Sequence, residues 1–231
     1  MGLIWVNKRV KSLVQKHVRA LELRKLGWSY SQIKKELGIA KSTASKWLNK
    51  YPLTYEQLDK LQFHNEKRIE HFRATMARKR QTIFDDAVEK QDILVGELTE
   101  RELYFCGLAL YWGEGGKTHY YELTFSNTDP RMIRFFLIWL KNAIKYPSHN
   151  IKIKLHLYQD MDIDDEVSYW SEITHVRKEY FEKPYIKATT MRGLTFKTWG
   201  HGTCNVIARG LKYARPVFAA MEVLARRYSA S

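Results

Sequence analysis

LRKLGWSYSQIKKELGIAKSTASKWLNK, residues 23–50, organises the N-terminal part of the chain. Gly27 closes a preceding helix in the manner of a C-cap, and Ser29 or Ser31 can start the next one. That helix carries Ile33 and Leu37 toward a core, and Gly38-Ile39 makes a tight turn. Lys41-Ser42-Thr43 then open a third helix with Ala44, Trp47 and Leu48 facing inward, and Pro52 stops it. Upstream, residues 8–26 read as a helix with Val10, Val14, Val18, Leu21 and Leu26 near 3.6-residue spacing.

A buried position in one helix, a Gly at the turn and apolar anchors on the next are what a helix-turn-helix requires. The exposed side of the third helix is then Lys41, Ser42, Thr43, Ser45 and Lys46. Short hydroxyls there reach base edges or phosphates, and the lysines reach the backbone, so these five are the candidate DNA-binding residues. A tri-helical module that binds protein is the competing reading, but the exposed face is basic rather than apolar. The segment resembles the helix-turn-helix of resolvases and of many transcription regulators. A serine recombinase carries its catalytic domain ahead of this module, so recombinase chemistry is not expected.

Charge points the same way. The 231-residue chain has 39 Lys and Arg against 25 Asp and Glu, a net charge of +14. Residues 1–50 hold 12 of those bases against Glu22 and Glu36 alone. A polyanionic partner is expected, because each phosphate neutralised releases condensed counterions. Cys106 and Cys204 form no metal-ligand pattern and fit a reducing compartment. The start MGLIWVNKRVK is too short an apolar run for a signal peptide, and no stretch reaches the ~18 apolar residues of a membrane span. A cytoplasmic, nucleoid-associated protein with no membrane partner is expected.

Residues 54–92 are polar and helical in propensity, with a thin apolar stripe (Leu58, Leu61, Ile69, Phe72, Met76, Ile83, Phe84). One or two connecting helices are predicted, packed on a partner chain. From Thr99 the composition changes. Thr99-Glu100-Arg101-Glu102 is a capping box opening an apolar helix over 100–114. Tyr121 to Phe125 reads as a strand, and Asp129 or Thr128 caps a helix that starts with Pro130. Ile151 to Leu157 alternates as a strand, Asp162 caps a helix to about Thr174, Tyr185–Ala188 and Thr203–Ala208 are strands, and Leu211–Arg226 is the last helix. The fold class is α+β: an all-α helix-turn-helix module over 1–52, a helical linker over 53–98, and a mixed α/β domain over 99–231.

Within that domain, LYFCGLALYWGEGGK spans 103–117. Ala109 and Gly113, four apart, form a small-residue face that admits a close second helix. Glu114 sits near the negative pole of its helix, which calls for a compensating cation such as Lys117, an Arg or a metal. GLALYWGEG at 107–115 and LTFSNTDPRMIRFFLIWL at 123–140 resemble the LAGLIDADG family, and the resemblance covers about 100–226. It implies a homodimer in which Ala109 and Gly113 make the helix–helix contact. It also implies a curved sheet in the major groove of double-stranded DNA, with Glu114 as the catalytic Mg²⁺ ligand over the scissile phosphate. Lys117 is then a second candidate catalytic residue, stabilising developing negative charge. The earlier acid of that motif is Trp112 here, and some relatives bind DNA without cutting it. The expectation is therefore a sequence-specific duplex DNA-binding protein, with a Mg²⁺-dependent homing-type endonuclease or an RNA-binding factor as alternatives.

Weaker groups remain. Asp160, Asp162, Asp164 and Asp165 read first as helix N-capping and second as an acidic site. His156, His201 and Cys204 match no zinc spacing. Tyr185 and Trp199 stack on unpaired bases in one reading and fill the core in the other.

Overall fold

The computed structural model describes residues 2–61, 64–190 and 200–228, with side chains described from residue 13 onward except at 64–66. The chain divides into two compact units, Met1–Gly96 and Glu97–Ser231.

The first unit is helical throughout: α1 (Gly2–Lys25), α2 (Tyr30–Leu37), α3 (Lys41–Leu48), α4 (Tyr55–Asp59) and α5 (His64–Val95). Ser29 is the N-cap of α2. Its hydroxyl accepts from the Gln32 amide at 3.2 Å while the Gln32 side chain accepts from the Ser29 amide at 2.7 Å. Gly38 ends α2 in the left-handed region (φ 57°), the conformation that a residue without Cβ adopts most cheaply. Ala20, Leu23, Ile33, Ala44 and Leu48 close the small core between α1, α2 and α3. The apolar stripe expected on α1 is corrected: Val14, Val18 and Leu26 are exposed, whereas Ala20, Leu23 and Arg24 are buried. A 3.6-residue pattern of valines misplaces the face because a buried arginine interrupts the true one. The Val10 side chain lies outside the described residues.

The second unit runs α6 (Glu100–Glu114), β1 (Gly115–Gly116), β2 (Glu122–Asn127), α7 (Pro130–Asn142), β3 (Lys152–Tyr158), α8 (Ile163–Thr174), β4 (Phe181–Lys187), β5 (Thr203–Arg209) and α9 (Leu211–Tyr228). The strand order is β1-β2-β5-β3-β4. β2, β5 and β3 pair antiparallel, and β3 pairs parallel with β4 through the α8 crossover. The fold is thus mixed α+β. The strand expected at Tyr185–Ala188 begins four residues earlier, at Phe181. Pro184 argues against a strand interior in sequence. Here it sits in an edge strand, at a register irregularity opposite the step from Lys154 to His156.

Leu123 and Phe125 of β2, Ile153, Leu155 and Leu157 of β3, and Cys204 and Val206 of β5 face the helices and are buried. Their core is aromatic. The Tyr111 ring stacks near Phe136 (6.0 Å) and Trp139 (6.1 Å), and Phe125 stacks on Phe136 (4.7 Å). Burial pushes the Tyr111 hydroxyl up to about 12. Gly107 of α6 lies against the Trp139 indole so closely that any Cβ would clash with its Cδ1, and the indole N–H donates to the Tyr104 carbonyl at 3.1 Å.

Candidate nucleic-acid interface

On α3 the buried side is Ala44 and Leu48, with Trp47 half-buried against His17 at 4.8 Å. Opposite, Lys41, Ser42 and Lys46 are exposed and Thr43 and Ser45 are half-buried. The N-cap residue is Ala40, which makes no side-chain capping bond. The first backbone amides of α3 are therefore left without a side-chain cap beside Lys41, an arrangement that suits an anion.

Three polar groups missed in the sequence hold this module. Arg24 is 3 % exposed and donates to the Tyr51 carbonyl (2.8 Å), the Trp28 carbonyl (3.0 Å) and the Glu70 carboxylate (2.8 Å). Arg24 and Arg73 sit 4.5 and 4.4 Å from the Tyr30 ring centroid, and Arg73 also donates to Glu70 at 3.0 Å. The network locks the start of α5 onto α1 and α2. The charge of Arg24 alone does not announce it, because a basic helix usually shows its arginines to water.

In the second unit the sheet face away from the core is mostly polar, around the buried Ile207 of β5, which sits between Thr124 and Lys152. Thr124 of β2, Thr203 and Asn205 of β5, Lys152, Lys154 and His156 of β3, and Lys187 of β4 alternate with the buried residues and are all half-exposed. Asn205 Oδ1 accepts from the Ser126 hydroxyl at 3.0 Å, and Lys187 lies 4.7 Å from the Tyr158 ring. Tyr185 is exposed and meets His156 edge-on at 5.5 Å, so it belongs to this face rather than to the core. Burial, then Lys187 and Lys154, lower the His156 pKa below its ordinary value, so the ring is neutral at neutral pH. Arg209 is neutralised at one corner by Glu182 (2.8 Å) and Glu122 (3.5 Å).

No protein-family model, curated protein or solved structure matches the chain.

Helix α6 ends with Glu114 exposed and without an ion-pair partner among the described residues. The compensating cation expected from Lys117 is not there: its amine donates to the Gly115 carbonyl at 2.8 Å. The short carbonyl contact wins because the chain turns directly into β1 at Gly115. Ala109 and Gly113 are both exposed on one side of α6, flanked by Phe105 and Trp112, which are 42 % and 39 % exposed. A Cβ on Gly113 would meet nothing within 4 Å, so packing within the chain does not require that glycine.

Among the described residues, no group of three or more His, Cys, Asp or Glu is placed to hold a metal ion. A single exposed carboxylate does not make a Mg²⁺ cage by itself. It fits only the mode in which one or two carboxylates share the ion with phosphate oxygens. Of the acidic cluster, Asp162 caps α8 by accepting from the Asp164 and Asp165 amides at 2.9 and 3.0 Å. His156 and Cys204 lie on opposite faces of the sheet. His201 instead pairs with Glu166 (3.0 Å) and stacks on Tyr169 (3.6 Å). Trp199 lies outside the described residues. Among the described residues, no helix is long and apolar enough to cross a membrane.

Proposed function

We infer that this chain is a sequence-specific duplex DNA-binding protein that works as a dimer. Helix α3 enters the major groove and the polar sheet face of the second unit provides a further DNA surface. The observation that carries this reading is the outer side of α3: Lys41, Ser42 and Lys46 exposed next to uncapped amides, on a helix fixed by the buried Ala44 and Leu48. Lysines there contact phosphate, and serine hydroxyls reach base edges. The half-exposed Lys152, Lys154, Lys187 and Thr203 support the second surface in the same terms. The exposed small residues Ala109 and Gly113, which leave room for a second α6 to approach closely, support the dimer, and a dimer calls for a palindromic target.

The test is duplex affinity of the Lys41→Glu/Lys46→Glu variant against the unaltered protein at fixed salt. Each lysine on a phosphate adds about one to the slope of log K against log salt, so the variant loses about two from that slope and binds at least tenfold more weakly. Unchanged duplex affinity, or tighter binding to structured RNA than to duplex by the unaltered protein, overturns the reading.

A second reading, a Mg²⁺-dependent endonuclease, rests on Glu114, exposed and without an ion-pair partner among the described residues at the end of the helix that would meet its copy. Two such carboxylates with phosphate oxygens would hold Mg²⁺, which lowers the pKa of a bound water and polarises the phosphodiester. Glu114 then acts as a metal ligand only. Metal-dependent cuts in a DNA library that vanish with Glu114→Gln support this reading, and binding without cuts removes it.

A further inference from the structure

Helix α5 is 32 residues long, and the network of Arg24, Glu70 and Arg73 anchors only its beginning. From residue 77 to residue 95 every residue is exposed. A helix without tertiary packing is marginal in water. This one nevertheless exposes Phe84 (63 %), Val88 (50 %) and Val95 (58 %). With Ala87 and Gln91 these three line one shallow groove along the helix. Stepping back from Phe84 by alternating threes and fours gives Gln81, Ala77 and Ala74. The series 74, 77, 81, 84, 88, 91, 95 is the a/d seam of a two-helix coil.

Charge is divided along the same helix. Residues 67–80 hold Lys67, Arg68, Arg73, Arg78, Lys79 and Arg80 against the single acid Glu70. Residues 81–95 hold Asp85, Asp86, Glu89 and Asp92 against the single base Lys90. Parallel pairing of two copies sets like charge beside like. Antiparallel pairing sets the basic half of one helix along the acidic half of the other.

We propose that α5 docks against α5 of a second copy of this chain, antiparallel, about a two-fold axis between residues 82 and 83. Seam and charge agree on that register. With Gln81 opposite Phe84 of the second copy, Ala77 falls opposite Val88 and Ala74 opposite Gln91, three layers each made twice; Val95 falls opposite Glu70, which Arg24 and Arg73 already hold, so the seam ends at the Ala74/Gln91 layer. The flanking positions then bring Arg78 beside Asp85 and His71 beside Asp92, each twice by symmetry. The contact is separate from the α6 face and independent of what the chain binds.

The experiment uses the full chain. Light scattering reads its mass. Spin labels are placed singly at Thr75, Thr82 and Glu89, seven residues apart on the outer side of the seam, with the exposed Cys106 changed to Ser. In the antiparallel pair, Thr82 lies almost opposite itself, whereas Thr75 and Glu89 are displaced along the axis from their own copies by roughly 20 Å. A dimer whose inter-label distance is shortest at Thr82 and longer at both outer sites is expected. Arg78→Glu weakens the dimer about tenfold by turning two attractive pairs into repulsive ones, and adding Asp85→Arg restores it. A monomer, as when the chain's own second unit covers the groove, overturns the proposal. So do equal distances at the three sites, or a dimer with all three labels far apart and indifferent to Arg78→Glu. The last result leaves the α6 contact standing.

Discussion

Arg24 makes its three hydrogen bonds where solvent does not reach, and its partner Glu70 is 5 % exposed. Removing one member of such a pair strands the other charge in the interior. Glu70→Ala is therefore expected to destabilise the protein by about 3–5 kcal/mol in urea unfolding. Replacing both members by apolar residues of similar volume should cost far less, and a Glu70→Ala loss under 1 kcal/mol would contradict the buried-pair account. His156 gives a pH effect with a definite sign. Its folded pKa lies below the ordinary 6.5, so as pH falls through that range the unfolded chain takes the proton first and stability decreases. If the sheet face meets DNA as proposed, the effect on binding has the opposite sign, because a protonated ring adds charge beside phosphate. Duplex affinity should rise as pH is lowered from 7.5 toward 5.5, and His156→Gln should flatten most of that rise. At this scale the sequence was informative where a residue's role is local: Ser29, Thr99 and Asp162 were legible as caps because capping depends on neighbours two or three positions away. Arg24 was not, since its partner stands 46 positions later.

Among elements, α6 holds two glycines with opposite roles. Gly107 admits the Trp139 indole, so Gly107→Ala forces α6 and α7 apart and should cost at least about 1–3 kcal/mol. Gly113 has open space where its Cβ would go. Gly113→Ala should raise the stability of the single chain by roughly 0.5–1 kcal/mol, the helix-propensity difference, while weakening self-association if a second α6 crosses there. Measuring unfolding and mass on both variants separates the two roles. The helices were readable to within a residue or two from capping and periodicity, as at α6 and α8. Strand β4 was read only from Tyr185 onward, because Pro184 reads as a breaker unless the strand is known to lie at an edge. The face of α1 was misplaced because Val14 and Val18 look like core and are exposed.

For the whole molecule, the uneven charge dominates. Twelve Lys and Arg lie in residues 1–50, and the polar sheet face adds Lys152, Lys154 and Lys187. If both surfaces engage one duplex, the Lys41→Glu/Lys46→Glu variant should keep a salt slope about two below that of the full chain, and Lys152→Ala/Lys154→Ala should lower it by about two again. Equal slopes for the full chain and the sheet-face variant would restrict DNA contact to α3. The division of charge was visible in composition. The sheet face was not, because alternation shows which strand residues are polar but not that three strands set theirs side by side.

The sheet also limits how copies of this chain can meet. One border is β1, only the two residues Gly115–Gly116. The other is β4, which carries Pro184 together with Lys183 and Lys187. A two-residue strand offers almost no ladder, and a proline flanked by lysines is a poor template for an incoming chain. Growth by strand addition is thereby discouraged at both ends, which leaves helical surfaces as the natural route to assembly and gives the chain some protection against fibril-like aggregation at high local concentration.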